Sequence, residues 1–168
     1  MIFRRATELD IDAIMIIIQQ AQEAFREAGI SQWQNQYPNP ERIQEDIANS
    51  YGYVVEEKHK IIATVAFSFD GDSNYLIPVE GLWQTKEPYA VIHRIAIHEH
   101  YQGKETSRFL MENLYTLAEE KEMQGIRVDT HTDNMKMKSY LKKNGFTFMG
   151  IIRLQDGALR DAFEKRIV

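Results

Sequence analysis

Apolar residues along this chain repeat with two periods, and the segments carrying them alternate. At helical spacing stand Ile14, Ile17/Ile18, Ala21, Phe25 and Ala28, which predicts a helix over Glu8–Gly29 with Thr7 as its cap and Gly29 as its stop. A second, short helix is expected over Glu41–Asn49, capped by Asn39 with Pro40 at its first position. Between them Ser31–Pro40 (SQWQNQYPNP) reads as a loop of amides, aromatics and proline. Ile2–Arg5 fits an edge strand, and Tyr51–Glu57 and Ile61–Phe69 are β-rich runs joined at Lys58–His59–Lys60 as a hairpin. Asp70–Asn74 is a turn cluster. Tyr75–Glu87 shows no period, and Pro78 and Pro88 make it a loop or an edge segment.

The second half is clearer. Tyr89–Ile97 is nearly continuous in β-favouring residues and predicts a buried strand. A helix follows over Lys104–Glu122 with Leu110, Leu114, Leu117 and Ala118 on one face, and Gly125 punctuates it. Ile126–Thr130 reads as a strand and Asp133–Asn144 as a helix ended by Asn144–Gly145. Phe146–Arg153 and Asp161–Ile167 form a last pair of strands around Gln155–Asp156–Gly157. There is no internal repeat, low-complexity tract or linker. The expectation is one α/β domain over residues 1–168 with a mixed sheet, in the order β-α-α-β-β-β-α-β-α-β-β.

Composition narrows the class without naming it. At 168 residues, one domain burying roughly two-thirds of its unfolded surface is expected. The 43% hydrophobic and 27% charged residues are ordinary for a globular chain. With no cysteine there is no disulfide, thiolate metal site or cysteine nucleophile, which suits a reducing cytoplasm. The start, MIFRRATELD, has no apolar signal core, and no run of about 18 apolar residues occurs, so an intracellular protein that does not span a membrane is expected. A net charge of −5 argues against nonspecific nucleic-acid binding and for a cationic substrate.

The candidate chemistry sits at Tyr89–Ser107, YAVIHRIAIHEHYQGKETS. A buried strand running through a glycine-containing loop into a helix start gathers unpaired N–H groups and the positive end of a helix dipole, which suits a phosphate. It is not a P-loop, because the upstream glycine and the Ser/Thr after Gly103–Lys104 are missing. His98, Glu99 and His100 hint at a metal, but no third ligand lies near in sequence, so solvated residues are the simpler reading and no metal is expected.

Two motifs carry a resemblance that covers essentially the whole chain. The first is IHRIAIHEHYQGKETSRFLM, where Gln102, Gly103 and Lys104 match; the second is VDTHTDNMKMKSYLKKNGF, with Asn134 and Gly145–Phe146 in place. In this order and separation the sequence resembles the GNAT superfamily of N-acetyltransferases. The resemblance implies a mostly antiparallel twisted sheet flanked by helices and an acetyl-CoA-dependent enzyme acting on a primary amine by direct attack in a ternary complex. It also implies that backbone groups of the central strand at Ile95, Ala96 and Ile97 pair with the pantetheine arm. Amides of Gln102, Gly103, Lys104, Glu105, Thr106 and Ser107 would hold the pyrophosphate. A symmetric homodimer would be in keeping with the class.

The chain departs from the pattern in places. Glu105 stands where the family has a small residue, and each carboxylate–phosphate charge pair ~5 Å apart in water costs on the order of 0.8 kcal/mol. Val91 occupies the position of a general-base Glu found in some members, and Leu141 that of the tyrosine acid found in many. On the strand face of Val91, Ile95 and Ile97, His93 is the candidate base, since imidazoles titrate at about pH 6.5; a hydrogen-bonded strand histidine is the alternative. Tyr140 is a weak candidate acid that also fits an apolar stripe with Met137 and Leu141. Asn134 can bond the pantetheine arm or cap its helix. His131 sits at a strand end near the expected cofactor. Trp33 lines the acceptor pocket or staples a long loop. Glu105 and Leu141 leave a second class open, a degenerate relative that binds coenzyme A or a protein partner without turnover.

Overall fold

The structure, a computed structural model, describes residues 1–76 and 78–167; the side chain of Lys104 also lies outside the description. Its elements are β1 (Ile2–Arg5), α1 (Ile11–Glu27), α2 (Pro40–Ala48), β2 (Gly52–Glu57), β3 (Lys60–Ser68), β4 (Glu80–Gly81), β5 (Tyr89–Ile97), α3 (Lys104–Glu120), β6 (Gly125–Thr130), α4 (Met135–Lys143), β7 (Thr147–Arg153) and β8 (Leu159–Arg166). The strands form one eight-stranded sheet in the order β1-β2-β3-β5-β6-β8-β7-β4. β5 and β6 pair in parallel, from Tyr89↔Gly125 to Ile92↔Val128. β1 with β2, β2 with β3, β6 with β8, β8 with β7 and β7 with β4 are antiparallel. The mixed, mostly antiparallel α/β fold is the expected one, with the short β4 added.

By contacts the chain divides into two compact units, Met1–Phe67 with His93–Leu114, and Ser68–Ile92 with Tyr115–Val168. In the first, Ile14 and Ile18 of α1, Ile43 of α2 and Val54 of β2 are buried together, with Met15, Trp33, Ile61 and Ala96 packed against them. Helix α1 starts at Ile11, later than Glu8, because the Asp10 carboxylate turns back. It accepts from the Thr7 amide at 2.8 Å and from both terminal nitrogens of Arg4 at 2.9 Å, which holds Glu8–Asp10 in a tighter 3-10 turn. Asn39 caps α2 as expected, accepting from the Arg42 amide at 2.9 Å. The β2–β3 hairpin turns on Lys58 and His59, at φ +47° and +63°, the left-handed pair that a two-residue turn between twisted strands requires.

In the second unit Tyr75, Tyr89, Val91, Ile152 and Ala162 form one buried cluster, with Trp83 and Leu154 against it. The segment without a sequence period is fixed from outside itself. Glu164 of β8 accepts from the amides of Gln84 and Thr85 at 2.7 and 3.2 Å and from the Thr85 hydroxyl at 2.5 Å. Its partner Arg127 of β6 donates to Glu164 at 3.1 Å and to the Thr85 carbonyl at 2.7 Å. The Arg127 guanidinium also lies 4.3 Å from the Trp83 ring centre and 3.7 Å from that of Tyr89. At the edge, a Cβ on Gly81 would stand 1.9 Å from the Met149 carbonyl oxygen, so only glycine lets β4 approach β7.

Candidate active site

In the first unit the end of β5 passes into α3 through a turn built by its own histidines. The His98 amide donates to the Ile62 carbonyl at 2.8 Å, and the His98 Nδ1 accepts from the His100 amide at 3.3 Å. Gln20 of α1 accepts from the Glu99 amide at 3.1 Å. His98, Glu99 and His100 therefore shape the turn, and among the described residues no group of three His, Cys, Asp or Glu is placed to hold a metal.

Beyond the turn, the Gln102 side-chain amide donates to the Ile97 carbonyl at 3.2 Å. Gly103 is the informative residue. Its backbone is not left-handed, and a Cβ built on it meets no heavy atom within 4 Å. Neither conformation nor packing of this chain requires glycine there, and the space above the loop is open to a close-approaching ligand. The first helical bond of α3 runs from the Ser107 amide to the Gly103 carbonyl at 3.2 Å. Ser107 thus spends its amide inside the helix, and the amides of Lys104, Glu105 and Thr106 are those of a first turn with no preceding carbonyls. The first turn of α3, Lys104–Thr106, lies within the expected cradle Gln102–Ser107. Thr106 is buried beneath it, and the Glu105 side chain is exposed. The cradle would accept a diphosphate, with the helix dipole adding to the amides.

His93, Ile95, Ala96 and Ile97 precede this turn on the half of β5 within the same unit, all half-buried. Trp33 also belongs here. At φ +57° it packs on the α1–α2 core and sets its ring edge-on to Phe25 at 5.6 Å, the arrangement of a staple under the loop.

Asn134 and Tyr140 lie on α4 of the second unit. The Asn134 carbonyl oxygen caps the helix by accepting from the Met137 amide at 3.1 Å. His131 accepts from the Asp133 amide at 3.1 Å and builds the turn before α4. Leu141 is fully buried. Burial pushes the Tyr140 phenol well above its usual range, so it holds its proton at neutral pH and is a weaker acid than a free tyrosine.

Arg94 of β5 carries no candidate role in the sequence pattern. Its backbone is left-handed, at φ +47°. Its guanidinium grips the Asp46 carboxylate of α2 through Nε and Nη2, both at 2.7 Å, and donates to the Tyr37 hydroxyl at 3.0 Å. The available signal was an arginine inside an apolar strand, which demands a buried partner.

The model of the acetyltransferase (GNAT) family matches residues 17–146. The chain belongs to this family. It is a GNAT-type acetyltransferase. A GNAT-family acetyltransferase from Streptococcus agalactiae 2603 is 32% identical, covers 98% of this chain and 94% of its own, and superposes with a TM-score of 0.86. Two more distant structures share the fold of this acetyltransferase. PaiA N-acetyltransferase from Thermoplasma acidophilum, in complex with coenzyme A, is 16% identical over 98% of each chain with a TM-score of 0.71. YncA from Salmonella typhimurium, with its cofactor acetyl-CoA, is 15% identical over 100% of this chain and 94% of its own, with a TM-score of 0.70. No curated protein matches the sequence.

Proposed function

We propose that the enzyme transfers an acetyl group from acetyl-CoA to the primary amine of a small molecule or peptide, by direct attack in a ternary complex within one catalytic domain. The observation that carries this reading is Gly103, a glycine that neither a positive φ nor packing requires, opening the first turn of α3 with empty space above it directly after the strand expected to hold the pantetheine arm. When bound, acetyl-CoA supplies a thioester whose carbonyl carbon an amine can attack and whose thiolate leaves without a strong acid.

The amides of Lys104, Glu105 and Thr106 bind the pyrophosphate, while Gln102 braces the loop on Ile97. Backbone groups of Ile95, Ala96 and Ile97 align the pantetheine arm. His93 takes the proton that the acceptor ammonium must lose before its nitrogen can attack, directly or through water. Solvent returns a proton to the departing sulfur. Trp33 shapes the acceptor side by stapling the loop that carries it. The exposure of the Glu105 carboxylate lets it turn into water, which weakens the ground for a relative without turnover.

A screen of primary amines with acetyl-CoA, read by release of free thiol, tests the reading. Amine-dependent thiol release is expected for at least one class; release at the amine-free rate across monoamines, polyamines, amino acids and N-terminal peptides contradicts it.

A further inference from the structure

The loop before α2 holds an uncommon backbone. Trp33, Asn35 and Gln36 are all left-handed, at φ +57°, +57° and +60°, without a glycine among them. Side chains dislike that region, so surrounding contacts must hold the loop there. Three of them are visible within the first unit. Gln34 donates to the Gln22 carbonyl at 3.0 Å, Gln22 donates to the Pro38 carbonyl at 3.0 Å, and Arg94 donates to the Tyr37 hydroxyl at 3.0 Å. The first two tie the loop to α1. The third ties it to β5.

Arg94 is itself left-handed and its side chain is only 8% exposed. The bidentate grip on Asp46 aims the planar guanidinium, leaving Nη1 directed at Tyr37. The residues that follow, Ile95–Ile97, are those assigned above to the pantetheine arm. One rigid group therefore joins the acyl-carrying strand, the second helix and the loop bearing Trp33.

We propose that Arg94 is a positioning residue that couples the acetyl-CoA strand to the acceptor loop, so that filling the strand orders residues 31–39. The inference rests on the proposed function for its ligand and on the structure for its coupling. A lysine cannot replace the fork, because a single ammonium cannot span both carboxylate oxygens and the phenol.

Hydrogen exchange resolved by segment, on the full chain with and without acetyl-CoA, tests it. Tyr37→Phe removes only the hydroxyl from a side chain on a residue that is 42% exposed, so the fold stays intact. Without ligand, this variant should exchange about 3- to 10-fold faster at residues 31–39, with residues 93–97 and the melting temperature unchanged. Acetyl-CoA should slow exchange at 31–39 at least about threefold in the wild type, and that slowing should vanish in Tyr37→Phe although calorimetry returns the same acetyl-CoA affinity. Arg94→Lys should lose the slowing as well. Equal loop exchange in wild type and Tyr37→Phe, ligand-induced slowing that survives the hydroxyl's removal, or restoration by lysine would each overturn the proposal. If the wild type gives no heat with acetyl-CoA, the proposed function fails instead, and the ligand-free comparison still decides whether the Arg94–Tyr37 bond positions the loop.

Discussion

The Asp46 carboxylate and the Arg94 guanidinium meet as a fork, both oxygens engaged at 2.7 Å, with Asp46 only 2% exposed. Arg42 adds a third bond to the same carboxylate at 3.1 Å from a side chain that is 34% exposed. A buried pair that loses one member leaves an uncompensated charge, so Arg94→Ala or Asp46→Ala should cost about 3–5 kcal/mol. Arg42→Ala should cost about 1 kcal/mol or less. Urea unfolding of the variants checks the ranking, and comparable losses at Arg42 and Arg94 would refute it.

Tyr75 is wholly buried and donates to the Asp129 carboxylate at 2.5 Å. Burial first, then the neighbouring carboxylate, push its phenol well above the usual value, and Tyr53, Tyr115 and Tyr140 are raised mainly by burial. The folded protein therefore keeps protons that the unfolded chain releases above about pH 10. These groups contribute their full stability below that pH and lose it as pH rises further, by up to about 1.4 kcal/mol per pH unit for each fully protonated tyrosine. Tyr75→Phe should cost about 1–3 kcal/mol at neutral pH, because Asp129 loses a donor, and should flatten the alkaline limb. Unfolding curves between pH 8 and 11 decide; an unchanged alkaline slope would mean that Tyr75 does not carry it.

Gly125 and Thr85 touch so closely that a Cβ on Gly125 would stand 2.7 Å from the Thr85 hydroxyl. Gly125→Ala should cost about 1–3 kcal/mol through crowding. Thr85→Ala gives up a bond to Glu164 but removes the two nearest contacts, leaving the Lys165 carbonyl oxygen at 3.1 Å, so the double variant should be less damaged than the sum of the two. Strict additivity in chemical denaturation would show that the clash is relieved elsewhere.

Much of this was readable in advance because it is local. The apolar periods of α1, α3 and β5 and the cap at Asn39 involve neighbours within a few positions. The strand, the turn at Gly103 and the helix start were legible for the same reason, since they are contiguous. What escaped depends on distant partners. The segment around Thr85 is held by Arg127 and Glu164, which lie 42 and 79 positions away, and Arg94 finds Asp46 across 48. No period marks such pairs. The late start of α1 escaped differently, because the Asp10 carboxylate is claimed by Arg4, a partner outside the helix.

Glu105 stands at the first turn of α3 with its side chain in water. If its charge still reaches the diphosphate, Glu105→Gln should tighten coenzyme A binding about fivefold at low salt, and the gain should shrink as salt rises. Glu105→Gly removes the same charge but gives up to about 1 kcal/mol of helix propensity, so its affinity and its stability have to be measured separately. Equal affinity of Glu and Gln at low salt would place the carboxylate beyond the ligand's reach.

The most direct measurement is calorimetric titration of the intact protein with acetyl-CoA in the presence of a chelator. The cradle at Lys104–Thr106 predicts saturable heat at one site per chain, without metal, and weaker binding when Gly103 is replaced by valine, whose branched side chain would fill the open space above the loop. No heat at about 1 mM acetyl-CoA, where even a weak specific site of about −4 kcal/mol would be half filled, would contradict the account at its centre.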